Sequence, residues 1–216
     1  MSINKTYAVF GLGQYGLAIA RELVKSGADV LAVDIDEQKV NKAALEIPLC
    51  KCADVTNADV IRRLGVSNID VVIIAMANNL EASVLSVMLC KEVGVKTVIV
   101  KSGDEMQNKI LTKIGADKIV FPERESGVRL AKNILSSGFI DLVELSEDVS
   151  IVELNVKNEW LGKTLIELNL RKKYSFNVVA IKRGETIDVD VDPTEPLTDN
   201  EKLVVIVKSS KLSKIR

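Results

Sequence analysis

Six consecutive residues carry the clearest chemistry in this chain of 216 residues: Gly11-Leu12-Gly13-Gln14-Tyr15-Gly16. The run follows an apolar, β-prone segment and opens a segment with helical spacing of apolar residues. A G-x-G-x-x-G turn in that setting holds a pyrophosphate with main-chain amides. Gly11 allows the tight turn, Gly13 admits a phosphate with no Cβ in its way, and Gly16 lets the helix pack closely on the sheet. The helix N-terminus supplies oriented donors and partial positive charge. Asp34 stands 18 residues past Gly16, at the end of the next apolar run. A carboxylate there accepts hydrogen bonds from ribose hydroxyls and repels a 2′-phosphate. Glycines serving a tight turn alone are the alternative, but strand, helix, spacing and acidic residue together favour a nucleotide.

Ligands of open α/β sheets bind beyond the carboxyl ends of the strands. Asp54, the run Met76, Ala77 and Asn78, and the run Lys101, Ser102 and Gly103 fall at such ends and are expected to line the same crevice. Asp54 fits two readings, a contact to an adenine amino group or a cap for the helix near Ala58. Lys101 also fits two, a counter-charge for phosphate or a solvated strand-end lysine.

Other chemistries are poorly supplied. There is no histidine, which removes the commonest general acid/base and metal ligand. Cys50 and Cys52 form a lone C-x-C, and Cys90 stands apart. Zinc takes about four ligands, so the cysteines are expected as reduced, small, buried thiols around a short strand. No Tyr-x-x-x-Lys pair exists: Tyr7, Tyr15 and Tyr174 are followed four residues later by Gly11, Ile19 and Val178. Gly162-Lys163-Thr164 lacks the first glycine of a phosphate loop, where Lys157 stands. No catalytic residue is assigned, and a ligand-gated switch is expected rather than an enzyme. The net charge is −1 and the pI about 5.7, so no basic field for nucleic acid is expected. The longest apolar run, 71–77, is far short of the roughly 20 residues of a bilayer span. The first residues lack the apolar core of a secretion leader, so a cytosolic chain is expected.

The elements that must position these residues read as follows. Strands are expected over 6–10, 28–33, 49–53, 70–77, 96–101 and 118–121, each followed by a helix. Asp36 is placed to cap the second helix, which should run to about residue 46, and Pro122 opens the last. Continuous rather than alternating apolar strands mean that both sheet faces are covered. The fold class is α/β: a Rossmann-like doubly wound parallel sheet over residues 1–138. Past residue 138 the pattern alternates. Strands at 139–145, 149–156, 176–181, 186–191 and 202–207, with a helix near 163–170, make a second, smaller α+β domain over 139–216.

The segments YAVFGLGQYG, DVLAVDIDEQKV, CADVTN, VVIIAMANNLEAS, KILTKIGADKIVFPERESG and VVAIKRG span nearly the whole chain. Through them the chain resembles the cytosolic regulatory subunits of bacterial potassium uptake systems, the KtrA/TrkA type, built from RCK domains. IGADKIVFPE is more specific to that family than the glycine motif. The resemblance implies a non-enzymatic gating subunit that binds ATP, ADP or NAD(H) in its N-terminal domain. It implies a homodimer assembled into an octameric ring, docked on a membrane potassium-translocating subunit of Ktr/Trk type. The protein would then be cytoplasmic and peripheral to the inner membrane face. Family ligand positions fall on Gly11 to Gly16, Asp34, Ile35, Asp36, Asp54, Val55, Met76 to Asn78, Lys101 to Gly103, and Gln107. Glu123 matches an acidic residue near the phosphates that helps hold a divalent cation or sodium ion; its other reading is a helix N-terminal carboxylate. Gln14 departs from the arginine frequent in the family. An amide offers no charge-assisted bond, which weakens discrimination of ATP from ADP and favours ADP or NAD.

The segment LIELNLRKKYSFNVVAIKRG resembles the C-terminal RCK domain, which in firmicute members binds cyclic di-AMP across its dimer. By that match Arg171 contacts phosphate, Asn177 and the Val178 backbone contact adenine or phosphate, and Leu165, Leu170 and Pro193 pack on the bases. A dimer core with a surface arginine is the other reading. A small NAD-dependent oxidoreductase is the alternative function for the whole chain.

Overall fold

The computed structural model describes residues 5–135, 139–146, 148–208 and 210–211. The chain divides into two compact units, Met1–Pro122 and Glu123–Arg216. The expected boundary after residue 138 borders residues 136–138, which lie outside the described residues.

The first unit is a six-stranded parallel sheet: β1 (Thr6–Phe10), β2 (Asp29–Asp34), β3 (Leu49–Cys52), β4 (Val71–Ile74), β5 (Thr97–Lys101) and β6 (Lys118–Val120). The spatial order is β3-β2-β1-β4-β5-β6. Helices α1 (Gln14–Lys25), α2 (Glu37–Ala43), α3 (Ala58–Arg63), α4 (Leu80–Glu92) and α5 (Glu105–Lys113) connect the strands. Strand side chains alternate between two faces, and both faces are packed here. Ala8, Phe10, Val72, Ile74, Val98 and Val100 join one apolar core with Ile61, Val87 and Leu111 of α3, α4 and α5. Val9, Val30, Ala32, Val71 and Ile73 join the other, with Ala20 and Val40 of α1 and α2. That two-sided burial is why the strands read as unbroken apolar runs.

Several expectations are corrected. The β4 strand ends at Ile74 rather than 77, because the chain turns out of the sheet where Asn79 N–H donates to the Met76 carbonyl at 2.9 Å. Helix α2 stops at Ala43, and the Glu46 and Ile47 amides bond back to the Ala43 carbonyl. The cysteines are not uniformly buried. Cys90 is buried, which pushes its thiol up to about 12. Cys50 is half-buried and raised by the same cause. Cys52 is exposed, since β3 is an edge strand with an uncovered side.

In the second unit α6 (Pro122–Leu135) leads on to β7 (Phe139–Ser146) and β8 (Val149–Asn155). Then follow two short helices, α7 (Leu165–Leu168) and α8 (Leu170–Tyr174), in place of the single helix expected. Asn169, at φ 46°, breaks them apart. Strands β9 (Phe176–Arg183), β10 (Thr186–Asp188) and β11 (Glu201–Lys208) complete an antiparallel sheet ordered β10-β9-β11-β8-β7. Its packed face carries Val152, Leu154, Leu203, Val205 and Val207 against Trp160, Leu168 and Leu170.

Asp117 ties β5 to the start of β6. Its carboxylate accepts from Val98 N–H at 2.6 Å and from Lys91 Nζ at 2.5 Å. Burial alone would raise its pKa, but the Lys91 ammonium and the Val98 amide together hold it below the usual carboxylate value. A carboxylate lowered in the folded state adds stability above its unfolded pKa and loses it as pH falls through the folded value. Asp117→Asn is therefore expected to lower the melting temperature at pH 7. The gap to the unaltered protein should shrink as pH falls below about 4. Melting curves at several pH values check this, and a gap independent of pH contradicts it.

Candidate functional site

All strands of the first sheet run in one direction, so the segments leaving their carboxyl ends emerge along one edge. The ladder continues one residue past the strands there. Gly11 N–H donates to the Val33 carbonyl at 2.8 Å, Ala53 to Asp34 at 3.0 Å, Ala75 to Phe10 at 2.7 Å and Ser102 to Val120 at 3.0 Å. The glycine turn rises from the middle of that row. Gly11 has φ +91°, and a Cβ there would stand 2.7 Å from Met76 Cγ. A Cβ on Gly16 would stand 1.9 Å from the Gly11 carbonyl oxygen, so only glycine lets α1 begin against its own turn. A Cβ on Gly13 would meet nothing within 4 Å. That side of the turn is open.

The helix N-termini differ in one respect. Asp36, Asn57, Asn79 and Asp104 cap α2, α3, α4 and α5 with their side chains, and each of those helices has an acidic residue in its first turn. Helix α1 starts from Gly13, with no side-chain cap and no acidic residue in its first turn. Its positive end is left for an anion.

Asp34 is 7% exposed. Its Oδ2 accepts Leu12 N–H at 2.6 Å and its Oδ1 accepts Asp36 N–H at 2.9 Å. The carboxylate therefore braces the glycine turn. A carboxylate has about four acceptor positions, so two amides leave capacity for sugar hydroxyls. Lys39 Nζ lies 3.7 Å from Asp34 Oδ2 and 3.8 Å from Asp36 Oδ2. Sequence reasoning missed this lysine; its signal was the i, i+3 spacing from Asp36 on a helix start. Ile35 is 70% exposed and offers an apolar face at the end of β2.

Asp54 is exposed and accepts from Thr56 N–H at 2.9 Å and Thr56 Oγ1 at 2.7 Å. Those bonds lower its pKa, the hydroxyl bond most. The cap of α3 is Asn57, not Asp54. Val55 is buried, with its carbonyl held by Ser86 Oγ at 3.3 Å. Met76 is half-buried, Ala77 buried and Asn78 exposed. Lys101 is not simply solvated: its Nζ lies 5.4 Å from the centre of the Tyr15 ring. Ser102 is buried and donates to the Asp104 carbonyl at 2.8 Å. Gln107 Oε1 folds back to accept Gly103 N–H at 3.1 Å. Gln14, the first residue of α1, is exposed.

The expected ligands on the strand ends are thus gathered on one edge of the first unit. Glu123 belongs to the second unit, exposed in the first turn of α6. Among the described residues no group of three or more acidic, cysteine or histidine side chains is arranged to hold a metal. Of the second-unit residues, Arg171, Asn177 and Pro193 are exposed. Leu165 and Val178 pack partly into the core, and Leu170 is buried at 4% exposure. The Pro193 carbonyl accepts Ile166 N–H at 3.3 Å, which brings the Pro193 turn to the start of α7.

Fold and turn define a protein of the doubly wound, Rossmann-like α/β class. The family model for the TrkA-N domain matches residues 7–122 and that for the TrkA-C domain residues 149–216. The chain is 41% identical over 212 residues to the Ktr system potassium uptake protein C of Bacillus subtilis (strain 168), covering 98% of this chain and 96% of the relative. It is 37% identical over 210 residues to the Ktr system potassium uptake protein A of Vibrio alginolyticus, covering 97% and 96%. Among solved structures the GsuK channel bound to NAD shares its fold, with a TM-score of 0.52 at 19% identity, covering 98% of this chain and 38% of that one. The chain belongs to the KtrA/TrkA-type family of RCK regulatory subunits, and it is a regulatory protein rather than an enzyme. The oxidoreductase alternative is set aside.

Two glycines separate folding from binding. Gly16→Ala is expected to lower unfolding free energy by about 1–3 kcal/mol or more, because the obstructing atom is backbone. Gly13→Ala should leave the melting temperature unchanged and weaken ADP about tenfold. Thermal unfolding with ADP titration checks both, and unchanged ADP binding in Gly13→Ala contradicts the assignment.

Proposed function

We propose that this chain is a cytoplasmic, nucleotide-sensing gating subunit that controls potassium flux through a membrane partner of Ktr/Trk type. The observation that carries this reading is the α1 N-terminus: uncapped, open at Gly13 and braced by Asp34. An adenine nucleotide, ATP, ADP or NAD(H), places its phosphates on that turn, its ribose on Asp34 and its base toward Ile35 and Asp54. The potassium uptake role is supported by the names of relatives that match it over nearly their whole length. Among the described residues no helix is long and apolar enough to cross a membrane, which suits a subunit docked on one. Ring assembly of homodimers into an octamer, a cation held at Glu123, and cyclic di-AMP on Arg171, Asn177, Val178, Leu165, Leu170 and Pro193 complete the proposal.

The mechanism follows from linkage. A ligand shifts a partner's open state only through different affinity for two conformations of the subunit. Each 1.4 kcal/mol of difference moves that equilibrium about tenfold. Phosphate charge on main-chain amides suits this task, since a turn that changes shape weakens several charge-assisted hydrogen bonds together.

Thermal-shift measurement tests the reading. A ligand present at 100 times its Kd stabilises the folded state by about 2.7 kcal/mol. ADP, ATP and NADH are expected to raise the melting temperature. NADPH should raise it less than NADH, because Asp34 opposes a 2′-phosphate. Cyclic di-AMP is expected to shift the second unit, and Arg171→Ala to remove that shift, since Arg171 is exposed and pairs bidentately with phosphate. The absence of any shift with adenylates contradicts the first-unit site, and a cyclic di-AMP shift retained in Arg171→Ala contradicts the second.

A further inference from the structure

Arg183 ends β9, the strand that lies between β10 and β11, and in register it stands between Thr186 and Glu201. Its guanidinium meets three carboxylates that come from three places in the chain. Nε donates to Glu201 Oε1 at 2.6 Å, Nη1 to Asp188 Oδ2 at 3.1 Å and Nη2 to Glu195 Oε2 at 3.0 Å. Glu201 opens β11 and is 6% exposed, and its second oxygen accepts Thr198 N–H at 2.9 Å. A charge buried that far is tolerated only with partners, so Glu201 fixes the guanidinium from the inside. The fork is planar and rigid, and its outward donors are thereby aimed at Asp188 and Glu195.

The segment they reach needs such a hold. Residues 184–201 carry seven acidic side chains and no lysine or arginine. Like charges at that density push a connection outward. Yet the connection from β10 to β11 lies against the start of α7. The Pro193 carbonyl accepts Ile166 N–H at 3.3 Å, Leu197 N–H donates to the Lys163 carbonyl at 3.0 Å, and the Leu197 carbonyl accepts Gly162 N–H at 2.9 Å. Glu195 stands between those attachments. The side chains of both outer pairs are about half exposed, and pairs so exposed add little to stability. Their effect is on where the segment sits.

On the cyclic di-AMP reading of the second unit proposed above, on which this step rests, we infer that Arg183 is a positioning residue for that ligand. It acts through Glu195, which holds the 189–197 segment, and Pro193 with it, against the start of α7. A cyclic dinucleotide brings two phosphates. A segment whose carboxylates were left unpaired would drift from α7 and repel those phosphates as well. Arg183 prevents both, and a segment already in place spends less binding energy on ordering.

Calorimetric titration of the full chain with cyclic di-AMP, beside hydrogen–deuterium exchange of the peptide covering residues 189–197, tests this role in Glu195→Gln and Arg183→Lys. Glu195→Gln removes one outer arm and leaves the buried Glu201 pair intact. It is expected to keep the melting temperature within about 2 °C. Exchange over 189–197 should quicken, and cyclic di-AMP should bind about fivefold more weakly. Arg183→Lys keeps the charge without the fork, so an ammonium held by Glu201 leaves Glu195 unserved, and a similar weakening of about fivefold is expected. Unchanged affinity or unaltered exchange in Glu195→Gln overturns the positioning role and leaves the second-unit site standing, as does full affinity in Arg183→Lys. Should Arg183→Lys fail to fold, Glu195→Gln decides alone. Failure of the unaltered chain to bind cyclic di-AMP overturns both the role and the site.

Discussion

The first unit depends on one close approach: α1 starts against the turn that precedes it, with Gly16 touching the Gly11 carbonyl. No other residue type fits there, and that contact fixes where the helix axis points. Everything at the carboxyl edge follows from it. The helix end receives no side-chain cap from Gly13. The Leu12 amide is turned toward β2, where Asp34 takes it. A buried carboxylate is costly unless its oxygens are satisfied, and the two amides it accepts make Asp34 tolerable at 7% exposure. The same bonds hold the turn in one shape, which on the proposed reading is the shape that receives a diphosphate.

This preorganisation bears on signalling. A turn held in its binding shape before the ligand arrives would spend little of the binding energy on local ordering. More of that energy is then available for biasing the subunit between conformations, and moving such an equilibrium from 1:99 to 99:1 takes about 5.5 kcal/mol. Single bonds of about 1 kcal/mol do not suffice; several charge-assisted bonds to phosphate do. On the proposed reading, a subunit that answers to phosphate charge needs no catalytic group.

Much of this was legible in the sequence for identifiable reasons. The unbroken apolar strands encode a sheet covered on both faces, and Gly11, Gly13, Gly16 and Asp34 encode the turn by spacing alone. What stayed hidden joins residues far apart. The Leu12–Asp34 bond spans 22 positions, and the Tyr15–Lys101 contact links the first helix to the fifth strand. Asp54 and Asn57 are both plausible caps by type; which one serves is decided by the turn that Asp54 makes with Thr56. Asn169 carried a readable signal, since asparagine is one of the few residues that accept left-handed backbone, yet the apolar spacing around it looked like one helix. Cys52 was misjudged because exposure of a strand's second face depends on its place at the sheet edge, which periodicity does not report.

Hydrogen–deuterium exchange of the full chain, with saturating ADP and with adenosine as control, addresses the central claim most directly. Phosphate held by main-chain amides must slow exchange in the peptide covering residues 11–16 with ADP and not with adenosine, while residues 34–36 slow with both. Bound ADP with unaltered exchange at 11–16 would show that the phosphates lie elsewhere, and the glycine turn would then be a packing device only.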